Sequence, residues 1–131
     1  MSLVSKSNLN GGKEYKYKSE KRFLKRVKFQ MEVMYPRIND ESVYEKYGGN
    51  DTLLKACNIS EYGICFKSVI PLKKGDFINF SLALPDKLSM WCLAVVRWIN
   101  LNDEFYVAGC EFISLTLNQI NNIKEYIKNN E

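Results

Sequence analysis

The chain has 131 residues, which suits one ordinary domain and is short for two. Apolar residues make up 46% and aromatic residues 13%, enough for a packed core, while no apolar run approaches the ~20 residues of a transmembrane helix. The net charge is +4, and the lack of histidine excludes Ser–His and Cys–His catalysis, so an enzyme is the least expected class.

The positive charge is concentrated at the N-terminus. Residues 1–30 carry nine Lys/Arg and two Glu, whereas residues 31–131 carry ten Lys/Arg and thirteen Asp/Glu. Residues 1–19 combine Ser, Asn, Lys and a Gly-Gly pair with few apolar residues, which predicts a flexible basic leader ahead of a single domain at 20–131. Because the N-terminus has no apolar signal-peptide core, we expect a soluble, cytoplasmic protein.

Six strands are predicted after the leader. "VKFQMEVMY" (27–35) alternates apolar and polar residues with the period of a half-buried strand. The segment 36–50 is rich in charge, Asn and Gly, and we expect a long mobile surface loop with a short helical turn. The remaining strands are predicted at 52–59, 63–69, 77–84, 90–99 and 105–113.

A helix is predicted at the C-terminus. Thr116 stands three residues before Gln119, which is the spacing of a capping box. Apolar residues then recur at helical intervals: Leu117, Ile120, Ile123 and Ile127. The fold class is therefore all-β with a C-terminal helix, and we expect a small six-stranded antiparallel β-barrel whose open end the helix covers.

The four cysteines are widely spaced and include no CxxC pair: Cys57, Cys65, Cys92 and Cys110. With no histidine to complete a mixed zinc site, we expect buried reduced thiols that act as small hydrophobic residues. No metal and no cofactor are expected.

Two polar motifs carry chemistry. Arg22 and Arg26, in "EKRFLKR" (20–26), can converge on one ligand, and guanidinium suits bidentate bonding to phosphate or to guanine. The turn "NISEYG" (58–63) supplies side chains that bond turn backbone and ligand oxygens, and its glycine permits positive φ or a close approach. Taken singly, the first motif is more often a solvated basic face and the second a plain inter-strand turn.

Together, the two motifs resemble those of the PilZ domain, the bacterial receptor module for cyclic di-GMP. The resemblance continues through "GICFKSVIPLKKGDFINFSLALPD" (63–86), "AVVRWI" (94–99) and "VAGCEFISL" (107–115), and covers about residues 20–128. It implies a split β-barrel in which two arginines grip guanine and phosphate and a polar turn receives the other side of the ligand. The residues that match these roles are Arg22, Arg26, Asn58, Ser60 and Gly63.

Several neighbouring positions bear on the ligand. Lys21 stands where many family members have an arginine that goes with capture of a stacked ligand dimer, so the number of ligands stays open. Tyr62 is either a base-stacking or a packing residue. Arg97 and Trp98 are adjacent in a strand and should point to opposite faces, so we assign Arg97 to the surface and Trp98 to the core or to helix packing.

The resemblance implies a stand-alone receptor or adaptor that binds cyclic di-GMP between the two motifs. The leader would order over the ligand and signal to a protein partner in trans, such as motility, secretion or polysaccharide-synthesis machinery. The main alternative is a PilZ-like interaction module that binds no nucleotide. A third possibility is non-specific binding of single-stranded nucleic acid by a small barrel with a basic arm; no specific nucleic acid is expected.

Overall fold

The computed structural model of the chain describes residues 25–47 and 52–131. The predicted leader, Lys21 and Arg22 lie outside these ranges. The elements, in chain order, are β1 (Val27–Val33), β2 (Arg37–Ile38), β3 (Glu41–Ser42), α1 (Tyr44–Tyr47), β4 (Leu54–Ile59), β5 (Gly63–Ser68), β6 (Phe77–Leu82), β7 (Met90–Leu101), β8 (Tyr106–Ile113) and α2 (Leu117–Asn129).

The strands of the described ranges belong to one sheet in the order β1-β4-β5-β8-β7-β6-β2-β3, and each of these pairings is antiparallel. The sheet curls into a half-barrel, and α2 follows at the C-terminus. The six predicted strands and the C-terminal helix are therefore confirmed. No helix within the described ranges is both long and apolar enough to cross a membrane.

The prediction of a long surface loop at 36–50 is wrong over its first half. A β2–β3 hairpin lies beside β6, and α1 supplies the expected helical turn. Asn39 and Asp40 form the hairpin turn with φ of 53° and 65°, a conformation that Asn and Asp adopt more easily than most residues. The Asn39 amide bonds Asp76 Oδ1 and the backbone N–H of Phe77, both at 3.0 Å, and these bonds hold the hairpin against β6.

The core lies on the concave face of the sheet. Alternate residues of the central strands are fully buried there, and the Phe66 and Phe80 rings pack edge to face with centroids 5.1 Å apart. Because directly paired residues of antiparallel strands share a face, one face carries an uninterrupted set of large apolar side chains. Its fully buried members include Leu54, Ile59, Ile64, Phe66, Ile78, Phe80, Leu82 and Val96.

Helix α2 closes this core. The capping box is present: Thr116 Oγ1 accepts from the Gln119 N–H at 3.1 Å, and Gln119 Oε1 accepts from the Thr116 N–H at 2.8 Å. Ile123 and Ile127 are buried in the core, whereas Leu117, the first residue of the helix, is 72% exposed. Tyr126 ties the helix to β1, because its hydroxyl donates to the Lys28 carbonyl at 3.0 Å.

Candidate functional site

Ser60 organises the turn between β4 and β5. Its hydroxyl accepts from the backbone N–H groups of Tyr62 and Gly63, both at 3.2 Å, and its own N–H donates to the Gly63 carbonyl at 2.8 Å. The side chain is only 4% exposed. A serine whose hydroxyl bonds the following N–H groups is a common device for shaping a tight turn. Ser60 thus fixes the shape of the polar turn from within.

Gly63 is required by a close approach and not by its backbone angles, because its φ is not positive. It pairs with Glu111 of β8, and a Cβ atom at position 63 would lie 2.2 Å from the carbonyl oxygen of Cys110. The Tyr62 carbonyl also accepts from the Phe112 N–H at 2.8 Å. The glycine therefore lets the turn lie directly on β8.

Arg26 meets the polar turn. It stands just before β1, whose first residues pair with the end of β4, and its Nη1 donates to Asn58 Oδ1 at 2.9 Å. The two residues are 32 positions apart in the chain, yet the bond brings the second arginine of the basic motif to the first residue of the turn. Arg26, Asn58, Ser60 and Gly63 are therefore brought together, whereas Arg22 and Lys21 lie outside the described residues.

A row of five residues crosses the convex face beside this turn. Successive cross-strand pairs join Lys28 to Asn58, Asn58 to Cys65, Cys65 to Gly109 and Gly109 to Trp98. Paired residues share a face, so the row runs from β1 across β4, β5 and β8 to β7. The Trp98 indole lies against Gly109 so closely that a Cβ there would be 2.0 Å from its Nε1.

The assignment of Trp98 to the core or to helix packing is wrong: 44% of the residue is exposed. Val96 pairs with Cys110 and Trp98 with Gly109, so Arg97 is an extra residue in β7, a β-bulge. A bulge interrupts the alternation of faces, which is why Arg97 and Trp98 line the same cleft. Arg97 is a surface residue, as expected, and its Nε donates to Glu111 Oε1 at 2.7 Å.

The cleft between the turn and the bulge has a volume of about 190 Å³. Pockets that enclose a drug-sized ligand are larger, at about 300–1,000 Å³, so the described residues form an open surface cleft and not an enclosed pocket. The cleft contains two guanidinium groups, of which that of Arg97 is ion-paired with the Glu111 carboxylate, and two half-exposed aromatic rings. The lining residues are Arg26, Ser60, Tyr62, Gly63, Arg97, Trp98, Gly109, Cys110 and Glu111.

The Cys65 and Cys110 thiols, which lie near the cleft, are protonated at neutral pH. Burial raises the pKa of Cys110 to about 12, with the neighbouring Cys65 as a smaller cause. Burial also raises the pKa of Cys65 to about 12, opposed by the nearby charges of Arg26 and Lys67. The expectation of buried reduced cysteines is confirmed for Cys65, Cys92 and Cys110, whereas Cys57 is half-buried.

These observations define a small curled-sheet module with a cationic and aromatic surface cleft beside a polar turn. The family model of the PilZ domain matches residues 20–129. The chain therefore belongs to the PilZ domain family, as the two sequence motifs indicated.

Among solved structures, the inhibitor of motility MotI/DgrA from Bacillus subtilis is similar to this chain, with a TM-score of 0.61 and 20% sequence identity. The match covers 83% of this chain and 50% of MotI/DgrA, so the chain spans half the length of that protein. At this identity the similarity is one of fold. No curated protein matches the chain.

Sequence reasoning missed Arg97 and Trp98 as members of the cleft. The available signal was Gly109, a glycine inside a mostly apolar strand, since such a glycine often marks a bulge or a close approach. In the structure Gly109 is the residue that leaves room for the indole of Trp98.

Proposed function

We propose that this chain is a receptor for cyclic di-GMP. The observation that carries the proposal is the 2.9 Å bond from Arg26 to Asn58. It joins the basic motif to the polar turn at the edge of a cleft that also holds Trp98 and Arg97. Membership of the PilZ domain family supports the same ligand class.

The chemistry of the cleft suits a guanine nucleotide. A guanidinium group offers a planar fork of donors that matches guanine O6 and N7 or a phosphate, and it also stacks on a base. Arg26 and Arg97 supply two such groups, and the half-exposed rings of Trp98 and Tyr62 offer faces for base stacking, worth about 1–3 kcal/mol per base. In this proposal Arg22 and Lys21 complete the grip from the N-terminal segment.

Signalling follows from ordering of the basic leader over the bound ligand, which alters the surface offered to a protein partner in trans. Ordering each residue costs about 1–2 kcal/mol, so charge-assisted bonds from the arginines must exceed that cost. The chain acts as a cytoplasmic adaptor and not as an enzyme. Similarity of fold to an inhibitor of motility supports motility machinery as the class of partner.

Calorimetric titration tests the proposal. We expect saturable binding of cyclic di-GMP and no comparable signal with GMP, and Arg26→Ala should weaken binding at least about tenfold because it removes a charge-assisted bond. The matched control is Arg37→Ala, which replaces a half-exposed arginine near the other edge of the sheet that pairs with Asp40.

The outcomes separate the three candidate functions. A wild-type protein that binds no cyclic di-GMP at low salt would overturn the proposal in favour of an interaction module. Equal competition by single-stranded oligonucleotides, with strong salt dependence, would favour non-specific nucleic-acid binding. Equal losses of affinity in Arg26→Ala and Arg37→Ala would place the ligand elsewhere on the surface.

A further inference from the structure

Two cysteines are neighbours of Asn58, the residue that accepts the bond from Arg26. On strand β4, Ala56 pairs with Phe66 and Asn58 pairs with Cys65, so Cys57 is an extra residue in a β-bulge. Its thiol lies across the neighbouring strand and donates to the Cys65 carbonyl at 3.3 Å. Adjacent strands are about 4.8 Å apart, within the range of Cα separations that a disulfide spans.

The two side chains also interact with each other. The second cause of the high Cys65 pKa, after burial, is a side-chain hydrogen bond to Cys57. Cys65 is 5% exposed, whereas Cys57 is half-buried and accessible to a small reagent. Cys57 is therefore the thiol that meets a reagent first, and Cys65 is the partner held beside it.

The other two cysteines are placed differently. Cys92 contacts Gln119 of helix α2, and Cys110 is directed toward the concave face, where its strand neighbours are Ile64 and Val96. Neither bonds to a second thiol in the part of the chain that the structure describes. They serve as internal references for the reactivity of a buried thiol.

We propose that Cys57 and Cys65 are a redox-sensitive pair that a hydroperoxide converts to a disulfide. The Cys57 thiol attacks the peroxide oxygen, which gives a sulfenic acid and releases water or an alcohol. The Cys65 sulfur then displaces the sulfenic oxygen, which leaves as water, and an S–S bond forms. Two thiols lose two hydrogen atoms and the O–O bond is reduced, so atoms and electrons balance.

The disulfide acts on the ligand site through Asn58. This residue follows Cys57 in the chain and pairs with Cys65, so a bond between the two sulfurs pulls the bulge toward β5 and moves the Asn58 oxygen relative to Arg26. This step rests on the proposed function. Once Arg26 no longer donates to Asn58, cyclic di-GMP should bind about tenfold more weakly to the oxidised protein.

Mass spectrometry tests the disulfide without any ligand. The folded full-length chain is treated with hydrogen peroxide, denatured, alkylated and digested with trypsin. Cys57 and Cys65 then share one peptide, 56–67, whereas Cys92 and Cys110 fall in the separate peptides 88–97 and 98–124. We expect peptide 56–67 to lose two hydrogen atoms and take up no alkyl group, while the other two remain alkylated.

Variants and reversal complete this test. Cys57→Ser and Cys65→Ala should each abolish the cross-link, Cys92→Ala should leave it unchanged, and dithiothreitol should restore two alkylated thiols. Oxidation of Cys57 to sulfinic acid without a cross-link would overturn the proposal. So would peptide 56–67 keeping two free thiols, or a link from Cys65 to Cys110.

Titration of the oxidised and reduced forms then tests the effect on the site. The expected result is about tenfold weaker binding after oxidation in the wild type and in Cys92→Ala, and no change in Cys57→Ser. Equal affinity of both forms would refute the coupling to Asn58 and leave the disulfide itself standing. If neither form binds cyclic di-GMP, the proposed function fails, and the mass measurement still decides the thiol chemistry.

Discussion

Replacement of Gly63 by alanine tests the close approach of β5 to β8. A Cβ atom at this position would lie 2.2 Å from the Cys110 carbonyl oxygen and 3.3 Å from its carbonyl carbon. Both atoms belong to the backbone of a central strand, so no side chain can rotate to make room. The strands must separate by about 1 Å to restore ordinary van der Waals distances, and overpacking of this kind costs roughly 1–3 kcal/mol.

We expect Gly63→Ala to lower the thermal unfolding midpoint by roughly 5–15 °C in a domain of this size. Circular dichroism on heating, together with urea denaturation, measures the change in stability. The matched control is Gly109→Ala, whose Cβ would meet the exposed Trp98 side chain and not backbone. A Gly63→Ala protein as stable as the wild type would refute the argument that the β5–β8 spacing requires glycine.

Individual side-chain interactions give three further predictions. Gly109→Ala is made together with Trp91→Phe, so that Trp98 is the source of the tryptophan fluorescence. The emission of Trp98 should shift to longer wavelength because its indole moves into water, and unchanged emission would contradict its packing on Gly109. Thr116→Ala should lower the free energy of unfolding by about 1 kcal/mol because it removes the helix cap. The control is Leu117→Ala, which should lower the free energy of unfolding by no more than about 0.5 kcal/mol because Leu117 is exposed. Iodoacetamide at neutral pH should label Cys57 of the folded protein well before Cys92, because Cys92 is buried and burial raises its pKa to about 11; equal labelling rates in the tryptic peptides would rule this out.

The strands were predictable because apolar and polar residues alternate along them, and the apolar residues lie on the buried face of the sheet. In β6, Ile78, Phe80 and Leu82 stand at every second position and are all fully buried. The helix start was equally predictable, since Thr116 and Gln119 form a local motif that needs no tertiary contact. Local patterns of this kind are fixed by the nearest residues in the chain.

The β2–β3 hairpin was not predictable in the same way. Its two strands have two residues each, too few to show alternation, and it is held by bonds from Asn39 to Asp76 and Phe77, nearly forty residues later. The composition of the segment correctly indicated turns. It contained no local sign of which distant strand would receive them.

The candidate site likewise has one part that was predictable from local motifs and one part that was not. The turn from Asn58 to Gly63 and its meeting with Arg26 followed from two motifs in the right order. The side of the cleft that Arg97 and Trp98 form depends on a bulge. Because side chains alternate between the two faces of a regular strand, adjacent residues are assigned to opposite faces unless the extra residue of the bulge is known. Only the pairing of Val96 with Cys110 and of Trp98 with Gly109 reveals it.

The bulge in β7 also bears on whether a chain with one residue fewer in this strand could keep the same sheet. Beyond it, Trp98 remains on the convex face and Ile99 packs toward the core, the positions they would hold if Val96 were joined directly to Trp98. Removal of the single residue Arg97 would therefore restore a regular ladder and keep the sheet, while the cleft would have one cation in place of two. A chain one residue shorter at this point could thus share the fold and have a less positively charged cleft.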